Sequence, residues 1–281
     1  MDTRNRPVST NSGTIVEQFR ISTYLNLGQA YVRGLSNSAK NANLSHLSPM
    51  NTDDVYLVIA AGGRGVRMGG VIPKQFRNFG EMCVLETTIR AFLTQDMPNI
   101  TRIVLAVPEN HLEQVNAWQF GLPVQAVVGG NTRQESVYLA LMALPDTPSA
   151  IVLIHDAVRP FPPSDPIKRA IESLKTWDSA ILVERSTDTL KRVDATGKIL
   201  GTEPRENVFR AQTPQVARLQ LWREAFTWAQ ITGFQGTDDS SLLEALGKRI
   251  RIVVSPTSNL KLTTPEDWTH IHREYPTKLI T

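Results

Sequence analysis

The sequence predicts an α/β fold: a Rossmann-like, three-layer α/β/α arrangement with a mainly parallel sheet and an inserted β-hairpin arm. Three observations predict it. From residue 55 onward, apolar runs of four to six residues alternate with amphipathic stretches of helical length, as in a parallel sheet covered by helices on both faces. A glycine-rich loop follows the first run, where nucleotide-binding α/β folds place one. At 186–212, a hairpin pattern interrupts the alternation.

The first strand is expected over 55–60 (VYLVIA), a continuous run typical of a strand buried on both faces. Further strands are expected over 103–107, 124–128, 151–154, 180–183, 208–211 and 251–254. Helices are expected over 85–93, 111–118, 134–144, 166–177, 219–229 and 239–246, and from 265 onward.

The hairpin pattern consists of short strands over 189–193 and 198–201 joined by the tetrapeptide DATG. Its last residue, Gly197, can adopt a positive φ without steric cost. Such an arm either packs on a second subunit or lies on the surface as a plain hairpin, and the pattern alone favours neither.

The charge of the 281-residue chain is concentrated at one end. Its formal net charge is +3, but residues 1–50 hold five basic and two acidic side chains, and residues 51–281 hold 25 of each. A nucleic-acid-binding face on the body is therefore not expected. The chain has one cysteine, Cys83, which excludes an internal disulfide framework and a cysteine-rich metal site. No apolar run reaches the length of a membrane-spanning helix, about 18 residues.

Residues 1–50 are interpreted as an N-terminal extension, and residues 51–281 as a single domain with its arm at about 186–212. The extension contains seven serines and six asparagines with only short apolar stretches, which do not offset the entropy of ordering. Three interpretations stay open: an organelle transit peptide, a disordered tail or docked arm, and a translation start at Met50.

The glycine loop after the first strand reads AAGGRGVRMGG over 60–70 and is followed by PKQ at 73–75. It is not the dinucleotide fingerprint, because Met68 stands where the third glycine belongs. It is not a P-loop either, since Lys74 follows proline and precedes Gln75. Arg67 and Lys74 are interleaved with the glycines, an arrangement suited to neutralising a polyphosphate and the charge that develops on phosphorus.

This loop resembles the signature of the sugar- and alditol-phosphate nucleotidyltransferases, and its PKQ form resembles the 2-C-methyl-D-erythritol 4-phosphate cytidylyltransferase family. The resemblance implies transfer of a cytidylyl group from CTP to that acceptor, releasing pyrophosphate, in non-mevalonate isoprenoid biosynthesis. It implies Arg67, Lys74 and Lys261 as catalytic residues. It also implies nucleotide contacts from Ala61, Gly62, Gly63 and Gly65.

Four later segments also match the family in order. In GGNTRQESV (129–137), the resemblance implies that Gly130, Asn131 and Ser136 read the cytosine and ribose, although the family often has aspartate at Asn131. In HDAVRP (155–160), the resemblance implies that Asp156 binds Mg²⁺ or another divalent cation and that Ala157 lies beside the nucleotide. An aspartate at the carboxyl end of a buried strand suits Mg²⁺ held with substrate phosphates. On the acceptor side, between HDAVRP and the last segment, the resemblance implies contacts from Asp188, Thr189, Arg205 and Thr237. The last segment, SNLKLTTPED (258–267), contains Lys261.

The sequence leaves several alternatives open. Another alditol phosphate, such as ribitol 5-phosphate, is the closest rival acceptor. A non-catalytic nucleotide-binding module is a rival from another class, but it would be expected to have lost one of Arg67, Lys74, Asp156 and Lys261, which are all present. A homodimer through the arm is expected, with no nucleic-acid or membrane partner. The expected location is the cytoplasm, or a plastid-type organelle if residues 1–50 are a transit peptide.

Overall fold

The computed structural model describes residues 54–63 and 72–274 of the chain. The predictions made for residues 1–50, for Gly65 and for Arg67 lie outside these described residues.

A seven-stranded sheet forms the centre of the fold. In chain order the strands are β1 (Val55–Ala60), β2 (Asn78–Phe79), β3 (Met82–Cys83), β4 (Ile100–Val107), β5 (Val124–Val128), β6 (Ile151–Asp156), β7 (Ser179–Arg185), β8 (Lys191–Val193), β9 (Ile199–Thr202), β10 (Phe209–Arg218) and β11 (Ile250–Val254). The central sheet has the order β11-β7-β10-β6-β1-β4-β5, while β2-β3 and β8-β9 form two separate hairpins. All neighbours in the central sheet pair in parallel except those of β10. The mainly parallel sheet is confirmed.

Helices cover both faces of this sheet. They are α1 (Val84–Ala91), α2 (Leu112–Asn116), α3 (Arg133–Ala143), α4 (Ser164–Ser173), α5 (Leu219–Thr232), α6 (Ser240–Ala245) and α7 (Pro265–Glu274). Side chains of a strand point alternately to opposite faces. Leu57 and Ile59 of β1 accordingly pack with α1 and α4, while Tyr56 and Val58 pack with α3, α5 and α6. The predicted three-layer arrangement is confirmed.

The strand expected over 208–211 is longer in the structure than predicted. β10 runs for ten residues and lies antiparallel between β6 and β7. Proline cannot donate a backbone hydrogen bond and ordinarily marks the end or edge of a strand. Here the pairing of β10 with β7 shifts register between Ala211 and Gln215. Pro214 therefore lies in an interruption of the ladder, and the strand continues beyond it.

The arm is the hairpin β8-β9, as predicted. Its turn is closed by the Asp194 carboxylate, whose Oδ1 accepts hydrogen bonds from the backbone N–H groups of Thr196 (2.9 Å) and Lys198 (3.1 Å). Gly197 has a φ of +86°, which glycine adopts readily. At its base, Arg185 of β7 pairs with Phe209 of β10. The residues on either side of the arm are thus part of the central sheet.

Within the described ranges, none of the helices combines the length and the apolar character needed to cross a membrane.

Candidate active site

A cleft of about 1650 Å³ opens at the edge of the sheet where β1, β4, β5 and β6 end. Ligands of open α/β sheets bind at this edge because the loops after the strands converge there. The cleft is lined by most of the residues predicted to bind nucleotide, metal or triphosphate: Ala61, Gly62, Gly63, Lys74, Gly130, Asn131, Ser136, Asp156, Ala157 and Lys261.

The described start of the glycine loop is held in place by Gln75. The Gln75 side chain is 2% exposed, and its Nε2 donates to the carbonyl oxygens of Ala61 (2.6 Å) and Gly63 (2.8 Å). A buried amide that makes both contacts fixes the backbone course. In the sequence Gln75 stands out only as part of the PKQ motif, and nothing local to that motif predicts this anchoring role.

Two glycines, Gly62 and Gly129, permit the close approach of the loop after β1 and the loop after β5. A Cβ at Gly62 would lie 2.8 Å from Ser136 Oγ, and one at Gly129 would lie 3.1 Å from the Gly62 Cα. Both distances are too short for an ordinary carbon contact. The loops after β1 and β5 therefore approach each other more closely than side chains at these two positions would allow.

The turn between β5 and α3 is shaped by its own side chains. The Thr132 hydroxyl caps α3 by accepting from Glu135 N (3.0 Å), and Asn131 N donates to the Glu135 carboxylate (2.8 Å), as in a capping box. Ser136 Oγ accepts from Gly130 N (3.1 Å) and donates to Thr132 O (2.8 Å). The Ser136 hydroxyl thus holds the turn together, and its contact with a nucleotide stays a prediction.

Asp156, the last residue of β6, is 6% exposed and surrounded by cations. Its Oδ1 lies 2.9 Å from Arg133 Nε, and its Oδ2 lies 2.8 Å from Lys261 Nζ and 3.5 Å from Arg159 Nε. Burial alone would raise the pKa of this carboxyl, but the three positive charges outweigh burial and hold the pKa well below its usual range. Asp156 is therefore a carboxylate throughout the physiological pH range.

Lys74 and Lys261 come from distant parts of the chain to the same wall of the cleft. Lys74 Nζ donates to the carbonyl oxygen of Leu262, the residue after Lys261, at 2.9 Å. The Leu262 side chain is fully buried against Phe79 and Val158. This packing fixes the segment that carries Lys261 beside the PKQ turn, so both ammonium groups line the cleft.

His155 lies behind Asp156 and is fully buried. Its Nε2 donates to the Arg159 carbonyl (3.0 Å), so its Nδ1 accepts from the Thr213 hydroxyl (3.2 Å). The Thr213 oxygen in turn accepts from Asp156 N at 3.0 Å. Burial lowers the pKa of His155 from 6.5 to about 4. His155 is thus a neutral structural residue that supports the end of β6.

A pH dependence of stability follows from this histidine. Between pH 6.5 and about 4, the unfolded chain binds a proton at His155 that the folded chain does not. The stability that the neutral His155 contributes is therefore complete above pH 6.5. As the pH falls below this value, the free energy of unfolding decreases by up to about 1.4 kcal/mol per pH unit. We expect His155→Gln to flatten the urea-unfolding free energy over this window relative to wild type. His270→Gln, at an exposed position, should keep the wild-type slope; equal slopes in all three proteins would contradict the prediction.

The residues predicted to bind the acceptor are placed differently. Asp188, Thr189, Arg205 and Thr237 are all exposed, and none is among the described residues that line the cleft. Arg205 contacts the Thr187 carbonyl at 3.5 Å near the base of the arm. Within one chain, the structure brings together the predicted nucleotide residues but not the predicted acceptor residues.

Comparisons with known proteins agree with this cleft. The family model for IspD, 2-C-methyl-D-erythritol 4-phosphate cytidylyltransferase, matches residues 55–273. The protein of that name from Acidobacterium capsulatum is 39% identical over 225 residues, covering 76% of this chain and 93% of the relative. That from Geotalea uraniireducens is 39% identical over 219 residues, covering 76% and 93%. The crystal structure of the Francisella tularensis protein superposes with a TM-score of 0.67 at 29% identity, covering 79% of this chain and all of that one.

The fold, the glycine-loop cleft and these matches define the chain as a nucleotidyltransferase, specifically a cytidylyltransferase. It belongs to the 2-C-methyl-D-erythritol 4-phosphate cytidylyltransferase family. The family inferred from the sequence motifs is confirmed.

Proposed function

We propose that this chain transfers the cytidylyl group of CTP to 2-C-methyl-D-erythritol 4-phosphate, giving 4-diphosphocytidyl-2-C-methyl-D-erythritol and pyrophosphate. One observation carries the proposal: Lys74, Lys261 and Asp156 lie together in a glycine-lined cleft of a chain that belongs to this family. Two lysine side chains and a carboxylate, next to backbone that a ligand can approach closely, suit the binding of a nucleoside triphosphate.

The reaction is an in-line displacement at phosphorus. A phosphate oxygen of the acceptor forms a bond to the α-phosphorus of CTP, the bond from that phosphorus to the bridging oxygen breaks, and pyrophosphate leaves with the electron pair. The nucleophile is already an anion, so no general base is required. The chain's task is to hold two polyanions in line and to stabilise the charge of the transition state. Lys74, Lys261 and Arg67 supply the positive charge.

Asp156 is the residue proposed to hold Mg²⁺. It is ionised, lines the cleft and offers the hard oxygen donors that Mg²⁺ prefers. In the part of the chain that the structure describes, no group of three or more His, Cys, Asp or Glu side chains could hold a metal. This donor set fits a cation bound through one carboxylate, with triphosphate oxygens and water as its other ligands. When bound, Mg²⁺ would neutralise charge on the pyrophosphate leaving group.

A product assay tests the function directly. The purified chain is incubated with CTP, MgCl₂ and 2-C-methyl-D-erythritol 4-phosphate, and the cytidylylated alditol and pyrophosphate are quantified in parallel. We expect equal amounts of both, with ribitol 5-phosphate reacting far more slowly in a matched incubation. Faster reaction with ribitol 5-phosphate would overturn the acceptor, and no product with either would overturn the reaction.

We further propose that the chain acts as a homodimer through its arm, which brings Arg205, Asp188 and Thr189 to the cleft of the partner subunit. Two observations support this proposal. These residues are exposed and lie away from the cleft of their own chain. The arm also exposes three apolar side chains, Val193, Ile199 and Leu200, by 51 to 59%. Exposed apolar clusters of this kind are typical of interaction surfaces.

Subunit mixing tests the arm's role. Lys74→Ala and Arg205→Ala proteins should each be nearly inactive alone. After unfolding and refolding together, they should recover about one quarter of wild-type activity, since half of the dimers are mixed and one of their two sites is intact. If Arg205 serves its own cleft, the mixture recovers nothing. A monomer by sedimentation would also overturn the proposal.

A further inference from the structure

Arg133, in the first turn of α3, bridges two buried carboxylates. Its Nε lies 2.9 Å from Asp156 Oδ1, and its Nη1 and Nη2 each lie 2.7 Å from an oxygen of Asp239. The contact with Asp239 is bidentate, the arrangement that a planar guanidinium makes and an ammonium cannot.

Asp239 depends on this arginine. It is 1% exposed, and among the described side chains Arg133 is the one that hydrogen-bonds its carboxylate. A buried carboxylate is costly unless its charged partner is retained. Asp156, in contrast, has Lys261 and Arg159 as further partners. The ion pair with Arg133 is therefore more important for Asp239 than for Asp156.

The next residue, Gln134, binds the same segment. Its Nε2 donates to Phe234 O and its Oε1 accepts from Gly236 N, both at 2.9 Å. Two consecutive side chains of α3 thus hold residues 234–239, which we call the acceptor loop because it contains Thr237. Gly236 has no room for a side chain, since a Cβ there would lie 2.3 Å from Ser241 Oγ. The acceptor loop is held at both of its ends by the helix that also shapes the nucleotide turn.

We propose that Arg133, assisted by Gln134, is a positioning residue that holds the acceptor loop at a fixed place relative to Asp156. This inference rests on the proposed function for the identity of the acceptor. Three of the guanidinium N–H groups of Arg133 are directed at carboxylates, so Arg133 acts through Asp156 and the loop rather than on the reacting atoms. Because in-line displacement depends on placement within about 1 Å, loosening the loop affects the acceptor before it affects CTP.

Steady-state kinetics provide the first test. For Asp239→Asn and Arg133→Lys we expect the KM of the acceptor to rise at least about 10-fold. The KM of CTP in Asp239→Asn should change by less than about 3-fold, because the Asp156 and glycine-loop contacts remain. Asp178→Asn is the matched control, since it alters the Asp178–Arg249 pair at the opposite edge of the sheet. A purely structural role would lower the active fraction and leave both KM values unchanged, and a parallel rise of both would equally overturn the proposal.

A double-mutant cycle, measured by melting temperature, tests the pairing of Arg133 with Asp239 without any substrate. Arg133→Gln leaves Asp239 buried without its cation, and we expect a lower Tm than for Asp239→Asn. Adding Asp239→Asn to Arg133→Gln should then raise the Tm, because the unpaired charge is removed. If the two losses simply add, the pairing is not what holds the loop, and the proposal is overturned. This cycle separates failure of the positioning role from failure of the proposed reaction.

Discussion

Replacing Lys74 with alanine is expected to lower kcat by at least about 100-fold, the cost of removing one preorganised electrostatic contact to a transition state. Lys74 lines the cleft beside Lys261 and is held there through Leu262 O. An alanine removes one of the two ammonium groups that line the cleft and are proposed to face the triphosphate. The measurement is kcat at saturating CTP and acceptor.

Lys175→Ala serves as the matched control for Lys74→Ala. Lys175 is a surface lysine, 73% exposed, that pairs with Glu172, and it lies on the segment after α4, away from the cleft. Its kcat should equal that of wild type. Turnover near the wild-type level in Lys74→Ala itself would sink the assignment of Lys74 as a catalytic residue.

The second large effect is expected for Asp156→Asn, which should destabilise the fold by about 3–5 kcal/mol, the usual cost of removing one partner from a buried ion cluster. The carboxylate neutralises Arg133, Lys261 and Arg159 at short range. An amide of the same shape leaves these cations near one another without the buried negative charge that neutralises them. Urea unfolding measures the loss, and kcat should fall in the same protein because the proposed Mg²⁺ ligand is gone.

The control for this change is Asp146→Asn. Asp146 also pairs with an arginine, Arg223 at 2.9 Å, but its side chain is 88% exposed. Solvent-exposed pairs contribute little to stability, so this variant should unfold with nearly the wild-type free energy. Equal stability of the Asp146 and Asp156 variants would show that the cluster around Asp156 is not a stabilising one.

Most of the fold could be predicted from the sequence because hydrophobic periodicity is local information. The buried run at β1 and the alternating helices specify a covered parallel sheet. The full extent of β10 could not be read in the same way. Whether Pro214 ends that strand depends on a register shift opposite β7, and a register is set by the partner strand rather than by the residues themselves.

The candidate site could also be predicted only where local sequence patterns determine it. The loops at the strand ends could be predicted because carboxyl ends of parallel strands meet at one edge, and the residues predicted there that the structure describes do line the cleft. The pair Arg133–Asp239 could not, since its members are 106 residues apart and each alone reads as a surface charge. For the acceptor residues predicted on the arm, the motif match gives no position relative to the cleft, and within one chain they do not line it.

The chain enters and leaves the arm at neighbouring positions of the central sheet, so the arm is a separable unit of the structure. Arg185 and Phe209 are directly paired neighbours in the central sheet, and the Arg185 guanidinium lies 5.2 Å from the centre of the Phe209 ring. The intervening segment leaves and re-enters the sheet at one point, and its hairpin hydrogen-bonds within itself. An arm from a related enzyme could be grafted between these two residues without altering the loops that line the nucleotide cleft. Under the proposed role of the arm in acceptor binding, such an exchange would change the acceptor while leaving the nucleotide cleft unchanged.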